Sequence, residues 1–288
     1  MESLNIIRLR ALHELLAPKR LTEIVDIGAN PVIAPDYEDM YASGIVKVTG
    51  FEPHPEAFEA LESKQTANAR YFPYAIGDGG SHELKVCKSS GFTSLLEPNT
   101  KTLDYLGRFH RQCRVKERLP VETKRLDDLD DLGSFDLLKI DIQGAELDVF
   151  RNARTAMSGC LAVMTEVAFV PLYRDQPLID AQMSELRTQG FHMHKFMFAK
   201  TLPMPSTLEV KLRRRVRSNQ LIDGDAVFVR DLFDLATKED EALKHLAVLA
   251  DGCFGSFDLA VRCLSHLVDR GTFTADDCRP YLKLLEQT

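Results

Sequence analysis

The chain has 288 residues, 44% of them hydrophobic, and its 36 basic and 43 acidic side chains give a net charge of −7. That length allows one large domain with a buried core and a small extension. The acidic balance argues against a nucleic-acid partner. No apolar run is long enough to cross a bilayer. The six cysteines form no C-x-x-C pair. Free thiols and a start without a signal-peptide core together predict a cytoplasmic protein.

The first two thirds of the sequence alternate between strand and helix patterns. Residues 1–20 predict a short amphipathic helix that precedes the main domain, 21–231. Buried parallel strands are covered on both faces and are therefore nearly continuous in hydrophobic residues. Five segments have this character: EIVDIG (23–28), KVTGFEP (47–53), FPYAIGD (72–78), FDLLKIDI (135–142) and LAVMTEV (161–167). Helical patterns lie between several of them, at 35–43, 54–64, 145–155 and 176–188. This alternation predicts an α/β fold with a mostly parallel, doubly wound sheet.

After Gly190 the pattern changes. FHMHKFMFAK (191–200) and DAVFVRD (225–231) predict two strands with no crossover helix between them, which should make them antiparallel neighbours. A parallel sheet that ends in such a pair is typical of S-adenosylmethionine-dependent methyltransferases. Residues 232–288 predict a helical C-terminal extension, packed on the sheet domain or on a second subunit, so a homodimer is one hypothesis.

The first predicted strand ends in VDIGAN (25–30). Asp26 closes the strand, and Gly28 allows a ligand to approach the backbone. A pyrophosphate loop needs G-x-G-x-x-G before a helix, and here Pro31 stands where the second glycine is expected. S-adenosylmethionine has no phosphates, so one glycine can suffice. Pro35 predicts a late start of the next helix. A ligand-free turn is the equally compatible alternative.

Carboxylates end several of the predicted strands. Glu52 follows the second strand, 24 residues after Gly28, and can accept hydrogen bonds from both hydroxyls of a ribose. Asp78 follows the third, where it could hold an adenine amino group. Asp141 and Glu166 close the fourth and fifth. Each could be an ordinary surface acid, but ligands of open α/β sheets bind beyond the carboxyl ends of the strands. Together these acids indicate one site.

Several of these segments resemble the FkbM family of methyltransferases. They are D-x-G-A-N, F-E-P-x-P, A-[IV]-G-D, LDDL (126–129), FDLLKIDIQGAELDVF (135–150) and TEVAFVPLYRDQP (165–177), within residues 21–200. The resemblance implies a Rossmann-like methyltransferase fold, S-adenosylmethionine as cofactor, and O-methylation of sugars, polyketides or other secondary metabolites. The family pattern usually has glycine at Pro31. The predicted cofactor residues are Asp26, Gly28, Asn30, Glu52, Asp78 and Asp141.

Methyl transfer to a hydroxyl requires alignment of donor and acceptor and a base with a pKa near the working pH. The candidates are Asp141 and Glu166, which the resemblance places at the reaction centre, and His192 and His194. The two histidines alternate along one strand and therefore share a face. That face could instead be solvated or part of the core. The two carboxylates could alternatively bind Mg²⁺, but no third ligand is evident, so metal dependence stays open.

Ser94 in SGFTSLLEP (90–98) and Tyr173 are predicted to contact the acceptor, and Tyr37 to close over the cofactor, although each could serve packing alone. KLRRRVR (211–217), with five basic residues in seven, predicts a solvated face, or contact with an anionic acceptor or an anionic membrane. The prediction is an S-adenosylmethionine-dependent O-methyltransferase of a small hydroxylated acceptor, a sugar or natural-product intermediate. The alternatives are an NAD(P)-dependent oxidoreductase and a non-catalytic binding protein of the same fold.

Overall fold

The computed structural model describes residues 3–29, 31, 34–208 and 213–288. Strands and helices alternate along most of the chain, and three α-helices follow the last strand. In chain order the elements are α1 (Leu4–Leu16), β1 (Thr22–Ile27), α2 (Glu38–Ala42), β2 (Val46–Phe51), α3 (Pro55–Glu62), β3 (Ala69–Phe72), β4 (Ala75–Ile76), β5 (Ser81–Cys87), α4 (Thr100–Leu106), β6 (Val115–Lys124), β7 (Leu137–Ile140), α5 (Glu146–Arg151), β8 (Ala162–Ala168), α6 (Ile179–Thr188), β9 (Phe191–Leu202), α7 (Arg214–Arg217), β10 (Gln220–Arg230), α8 (Asp240–Gly252), α9 (Phe257–Asp269) and α10 (Ala275–Leu285).

The main sheet has seven strands in the order β3-β2-β1-β7-β8-β10-β9. The first five run parallel, and β10 is antiparallel to both of its neighbours. The chain starts in the middle of the sheet, winds outward to β3, and returns through β7 to the other side. This arrangement confirms the predicted α/β sheet with a final antiparallel pair. It also brings the carboxyl ends of β1, β2, β7 and β8 together at one edge.

The prediction of a single third strand over 72–78 is wrong, because two separate strands occupy this region. β3 ends at Phe72, and the next pairing residues, β4, belong to a separate three-stranded sheet in the order β4-β6-β5. Pro73 follows β3 directly and has no N–H to continue the ladder, which separates the two strands. The small sheet extends over the carboxyl-terminal edge of the main sheet, and residues of β5 and β6 line the cleft described below.

The helix predicted over 35–43 begins later than expected. Pro35 is not its first residue, because the carbonyl of Pro35 accepts a 2.9 Å hydrogen bond from Glu38 N–H in a turn that precedes the helix. The helical residues of α2 start at Glu38. The loop between β1 and α2 is therefore longer than predicted.

Both faces of the sheet are covered, which explains the apolar character of its strands. On one face the core is formed with α5 and α6. On the other, α1 and the C-terminal helices α8–α10 share one buried cluster with the strands. Arg8 of α1 forms a buried 3.0 Å ion pair with Asp251 of α8, and the Tyr281 hydroxyl donates to the same carboxylate at 2.7 Å. The C-terminal extension thus packs on the sheet of its own chain. No helix within the described ranges has the length and hydropathy of a membrane span.

Candidate active site

A cleft of about 1360 Å³ opens at the carboxyl ends of the parallel strands. Its walls are the loops that follow these strands, the segment 90–95, and parts of β5, β6 and β9. Six residues singled out from the sequence line it: Asp26, Gly28, Tyr37, Glu52, Asp141 and Glu166. Four of the acids predicted from the sequence therefore lie in one cleft at one edge of the sheet. Asn30, a predicted cofactor residue, lies outside the described residues.

Gly28 is required by the neighbouring loop. Its φ is +81°, in the left-handed region, and an added Cβ would collide with the carbonyl oxygen of Asp141. The N–H groups of Gly28 and Ala29 both donate to the Phe51 carbonyl, at 3.0 and 3.1 Å. The close approach expected at this glycine is thus made by the protein's own backbone. These two amides are already bonded and do not form an anion-binding turn.

Asp26 is buried at the base of the cleft and has partners on both oxygens. Tyr37 O–H donates to Oδ2 at 2.7 Å, and Lys139 Nζ lies 3.2 Å from Oδ1. Burial and the Asp26 charge raise the pKa of the Tyr37 hydroxyl well above its usual value, so it stays a donor. Burial alone would lower the pKa of Lys139, but Asp26 and Asp141 outweigh it and raise that pKa. The pair is therefore a fixed carboxylate–ammonium contact.

Glu52 directly follows β2 and faces the cleft. Its Oε1 accepts a 2.8 Å hydrogen bond from His54 N–H. Burial raises the pKa of Glu52 to about 7; the His54 N–H opposes this and the Asp26 charge adds to it. The free protein consequently holds a poorly solvated carboxyl group at the place predicted for a ribose contact.

Three carboxylates meet near the carboxyl ends of β7 and β8. Ligand oxygens of Asp141, Glu146 and Glu166 all lie within 4.8 Å of one another. Glu146 is engaged by the backbone: its Oε1 accepts from Ile142 N–H and Gly144 N–H, each at 3.0 Å. Burial raises the pKa of Glu146 to about 7. Its role is to close the loop that precedes α5.

Gln143 holds the other two carboxylates. Its Nε2 donates to Asp141 Oδ1 at 2.8 Å and to Glu166 Oε2 at 2.9 Å. Burial, followed by the charges of Asp141 and Glu146, raises the pKa of Glu166 well above its usual value. The amide of Gln143 occupies the position from which a cation would bridge the two carboxylates. A metal ion would have to displace it.

Ser94 and Tyr173 form hydrogen bonds with Gln143 outside the cleft lining. The buried Ser94 hydroxyl donates to the Gln143 carbonyl at 2.7 Å. The Tyr173 hydroxyl lies 3.0 Å from Gln143 Oε1 and 3.1 Å from the Phe92 carbonyl, and burial raises its pKa. Neither is among the described cleft-lining residues. Ser94 and Tyr173 therefore do not line the cleft, although contact with the acceptor was predicted for both. Their hydroxyl groups instead orient Gln143 and the segment 90–95.

The two histidines are correctly predicted to share a face, but that face is turned to the C-terminal extension. His194 Nε2 lies 2.6 Å from Ser256 Oγ, and the His192 ring meets the edge of Phe233 at 4.9 Å between centroids. β9 is the outermost strand of the sheet, and α8 and α9 cover this side. In the part of the chain that the structure describes, neither imidazole reaches the cleft. This placement corrects the prediction of a histidine base.

Asp78 is also misplaced in the prediction. It follows β4 of the small sheet and is exposed, with its Oδ1 2.7 Å from His82 Nε2 and accepting from Gly80 N–H at 2.8 Å. These hydrogen bonds hold its pKa at about 2. It is absent from the described lining of the cleft. The predicted contact with adenine depended on a continuous third strand, which Pro73 interrupts.

Among the cleft residues that sequence reasoning missed are Lys139, Gln143 and Asp225. Asp225 lies on β10 directly opposite Glu166, and burial together with the Asp141 charge raises its pKa to about 7. The available signals were a lysine inside the apolar run of β7 and an aspartate at the start of the apolar run of β10. Of the basic segment, Lys211 lies outside the described residues, and Arg213 and Arg217 are exposed.

A parallel sheet wound outward from its centre, closed by an antiparallel pair, with an acid-lined cleft at its carboxyl edge, defines the Rossmann-like methyltransferase class. Residues 26–193, more than half of the chain, match the family model described as "Methyltransferase FkbM domain". The chain therefore belongs to the FkbM methyltransferase family, as its motifs indicated.

Comparison with solved structures finds methyltransferases at low identity. Magnesium protoporphyrin IX methyltransferase from Synechocystis, solved with bound SAM, is 11% identical over 78% of this chain and 79% of its own, with a TM-score of 0.34. A segment named StiE O-MT is 10% identical over 90% and 79%, with a TM-score of 0.38. A precorrin-6y methyltransferase from Geobacter metallireducens is 8% identical over 77% and 86%, with a TM-score of 0.35. These scores add nothing to the family assignment. A search of curated proteins finds no match.

Proposed function

We propose that this protein is an S-adenosylmethionine-dependent O-methyltransferase that acts on a hydroxyl of a small acceptor, a sugar or natural-product intermediate. The observation that carries the proposal is the arrangement of two separate carboxyl sites in one cleft. Glu52 directly follows β2, whereas Asp141 directly follows β7 and the paired residues Glu166 and Asp225 lie on β8 and β10. The first suits a ribose and the second suits a hydroxyl that must lose a proton.

Glu52 supports a nucleoside as part of the ligand. A charged acceptor forms stronger hydrogen bonds with hydroxyls than a neutral one does, and ribose offers two adjacent donors. These donors would also replace the solvation that burial removes from this carboxylate. A dinucleotide is disfavoured because its pyrophosphate requires free turn amides, whereas Gly28 and Ala29 donate to Phe51.

The acid group at the other end supports transfer to oxygen. As the acceptor oxygen forms a bond to the methyl carbon, the carbon–sulfur bond breaks, sulfur leaves as a neutral thioether, and the hydroxyl proton passes to a base. A base works best when its pKa lies near the working pH. Asp225, with a pKa of about 7, meets this condition, and Glu166 lies beside it. Mg²⁺ is left out of the proposal because Gln143 already bridges Asp141 and Glu166.

The acceptor end of the cleft also supports a sugar-like substrate. Carboxylates accept hydrogen bonds from vicinal hydroxyls, and Phe198 lines the same cleft with 52% of its surface exposed. Phe198 pairs with Asp225 across β9 and β10, so an apolar ring and a carboxylate stand side by side. A sugar ring or a hydroxylated natural product presents both kinds of surface.

Calorimetry with S-adenosylhomocysteine and with NAD⁺ tests the cofactor. We expect the first to bind and the second not to bind. Glu52→Gln should weaken S-adenosylhomocysteine about 10- to 100-fold, through loss of charge-assisted hydrogen bonds. Glu56→Gln is the matched control, because Glu56 is an exposed carboxylate on the same cleft wall. Binding of NAD⁺ alone would support the oxidoreductase alternative, and binding of neither would reject the proposal.

Transfer itself is tested with methyl-labelled S-adenosylmethionine against panels of sugars and hydroxylated natural products. Once an acceptor is found, Asp225→Asn and Glu166→Gln should abolish most turnover while S-adenosylhomocysteine still binds. His194→Ala, on the far side of β9, is the control and should retain turnover. Cofactor binding without transfer to any acceptor would favour the non-catalytic alternative.

A further inference from the structure

Lys139 is a polar residue inside the central strand β7, next to Asp26 on β1 and Met164 on β8. Its side chain is 18% exposed and lines the cleft. An ammonium group has three N–H donors. Over the described residues its Nζ forms one hydrogen bond, the 3.2 Å contact with Asp26. The remaining donors have no protein acceptor in that part of the chain.

Lys139 differs from the other lysines of the cleft in its exposure and in the charges that surround it. The described lining includes three other lysines, all exposed, one of which donates to the Pro31 carbonyl; they are Lys64, Lys88 and Lys116. No arginine belongs to the described lining. Near Lys139 stand the carboxylates of Asp36, Asp141 and Asp225. An anionic group that binds beside these carboxylates can be attracted by the Lys139 ammonium, the described cation that interacts with them.

The two described amides at the end of β1 are not available to such an anion. Turn amides at the end of a first strand commonly bind anionic groups, but those of Gly28 and Ala29 are bonded to the Phe51 carbonyl. Lys139 is held in place by the buried Asp26, whose other oxygen is bonded to Tyr37. The ammonium is thus oriented before any ligand binds, and only its unused donors are left for one.

The position of Lys139 also suits the proposed cofactor. β1 lies between β2, which ends at the Glu52 site, and β7, which carries Lys139. Two strand spacings separate the two sites by about 10 Å. The homocysteine chain of the cofactor extends from the ribose over a comparable length and ends in a carboxylate and an ammonium.

We propose that the ammonium of Lys139 binds the α-carboxylate of the cofactor's homocysteine part. Asp26 then acts as the positioning residue for Lys139, and the carboxylates of Asp36 and Asp141 face the cofactor's own ammonium. This inference rests on the proposed use of S-adenosylmethionine. It adds a specific anchor for one functional group of that molecule.

Two ligands test the assignment: S-adenosylhomocysteine, and S-adenosyl-3-thiopropylamine, which differs from it only by lacking the carboxylate. By calorimetry the wild-type protein should bind S-adenosylhomocysteine about 10- to 100-fold more tightly, although the amine carries more positive charge into an acidic cleft. Lys139→Met should remove this preference and change the affinity for the amine by less than about threefold. Lys116→Met, which replaces an exposed lysine of the same cleft, should keep the preference.

Lys139→Arg is the second variant, in case the methionine variant fails to fold because the buried Asp26 has lost its ammonium partner. It retains the cation and should retain a preference for the carboxylate. Equal wild-type affinity for the two ligands, or an equal loss of both in Lys139→Met, would overturn the assignment and leave Lys139 a structural role. Binding of neither ligand by the wild type would instead reject the proposed cofactor itself, and this assignment with it.

Discussion

The side-chain amide of Gln143 is hydrogen-bonded to the carboxylate of Glu166 at 2.9 Å, and it simultaneously donates to Asp141. Two carboxylates that would otherwise repel each other are held by one neutral donor. The backbone of Gln143 has a φ of 59°, in the left-handed region that side-chain-bearing residues rarely adopt. The loop accepts this conformation and thereby places the amide between the two acids.

Gln143→Glu should therefore destabilise the protein in a pH-dependent way. The change removes both hydrogen bonds and adds a third carboxylate, with an expected cost of about 2–4 kcal/mol at pH 8. The pKa of the new carboxyl group would be raised in the folded state, so its cost develops above its unfolded pKa and shrinks as the pH falls. Urea unfolding at pH 5 and pH 8 measures this. Gln112→Glu, at an exposed glutamine, is the control, and an equal loss at both pH values would contradict the repulsion.

Glu52→Gln should stabilise the free protein while it weakens cofactor binding. Because burial raises the folded pKa of Glu52 from 4.5 to about 7, ionising it penalises the folded state, and stability falls as the pH rises between these values. The amide removes this penalty and keeps an acceptor for His54 N–H. The expected gain is about 2 kcal/mol at pH 8 and little at pH 5. Thermal unfolding without ligand at the two pH values checks it, and a loss of stability at pH 8 would refute it.

Gly28→Ala should cost far more than a positive φ alone explains. Gly44 has a similar φ of +73° but open space around its missing Cβ, so Gly44→Ala isolates the conformational cost of about 1 kcal/mol. Gly28→Ala adds the collision with the Asp141 carbonyl and should cost more than about 3 kcal/mol. Denaturant unfolding of both variants gives the difference. Similar losses would mean that the loop after β7 moves aside freely.

Much of this fold was predictable because the central strands are covered on both faces. FDLLKIDI and LAVMTEV have the continuous apolar character that parallel burial requires, and they lie where β7 and β8 do. The small sheet was not predictable in this way. β6, with the sequence VKERLPVETK, exposes charged residues along most of its length and has no apolar run to identify it.

The residues of the candidate site also divide into those that the sequence predicts and those that it does not. Glu52 and Asp141 directly follow apolar strands, Glu166 lies near the end of another, and the topology of the sheet brings the three together. The alternation of His192 and His194 predicted a shared face, but which layer covers that face depends on the distant helices α8 and α9. The sequence does not predict that Gln143 bridges Asp141 and Glu166. The direction of its side chain is set by the left-handed conformation of its backbone.

Asp251→Ala should show that the C-terminal helices and the sheet unfold together. The change leaves the Arg8 guanidinium buried without its carboxylate, at an expected cost of about 3–5 kcal/mol. Asp276→Ala breaks an ion pair with Arg279 in which both side chains are largely exposed, and should cost less than about 0.5 kcal/mol. Tyrosine fluorescence and circular dichroism, followed during unfolding, should report one coincident transition in each variant. Two separate transitions would mean that the extension unfolds independently.

The engaged amides of Gly28 and Ala29 have a consequence for redesign. A site that binds its ligand through backbone amides can be altered only by rebuilding a loop. In the site proposed here the cofactor is bound by side chains, chiefly Glu52 and Lys139, on strands and strand ends that the core holds in place. Its preference among related nucleosides and sulfonium compounds is therefore open to engineering by single substitutions, with the scaffold left intact.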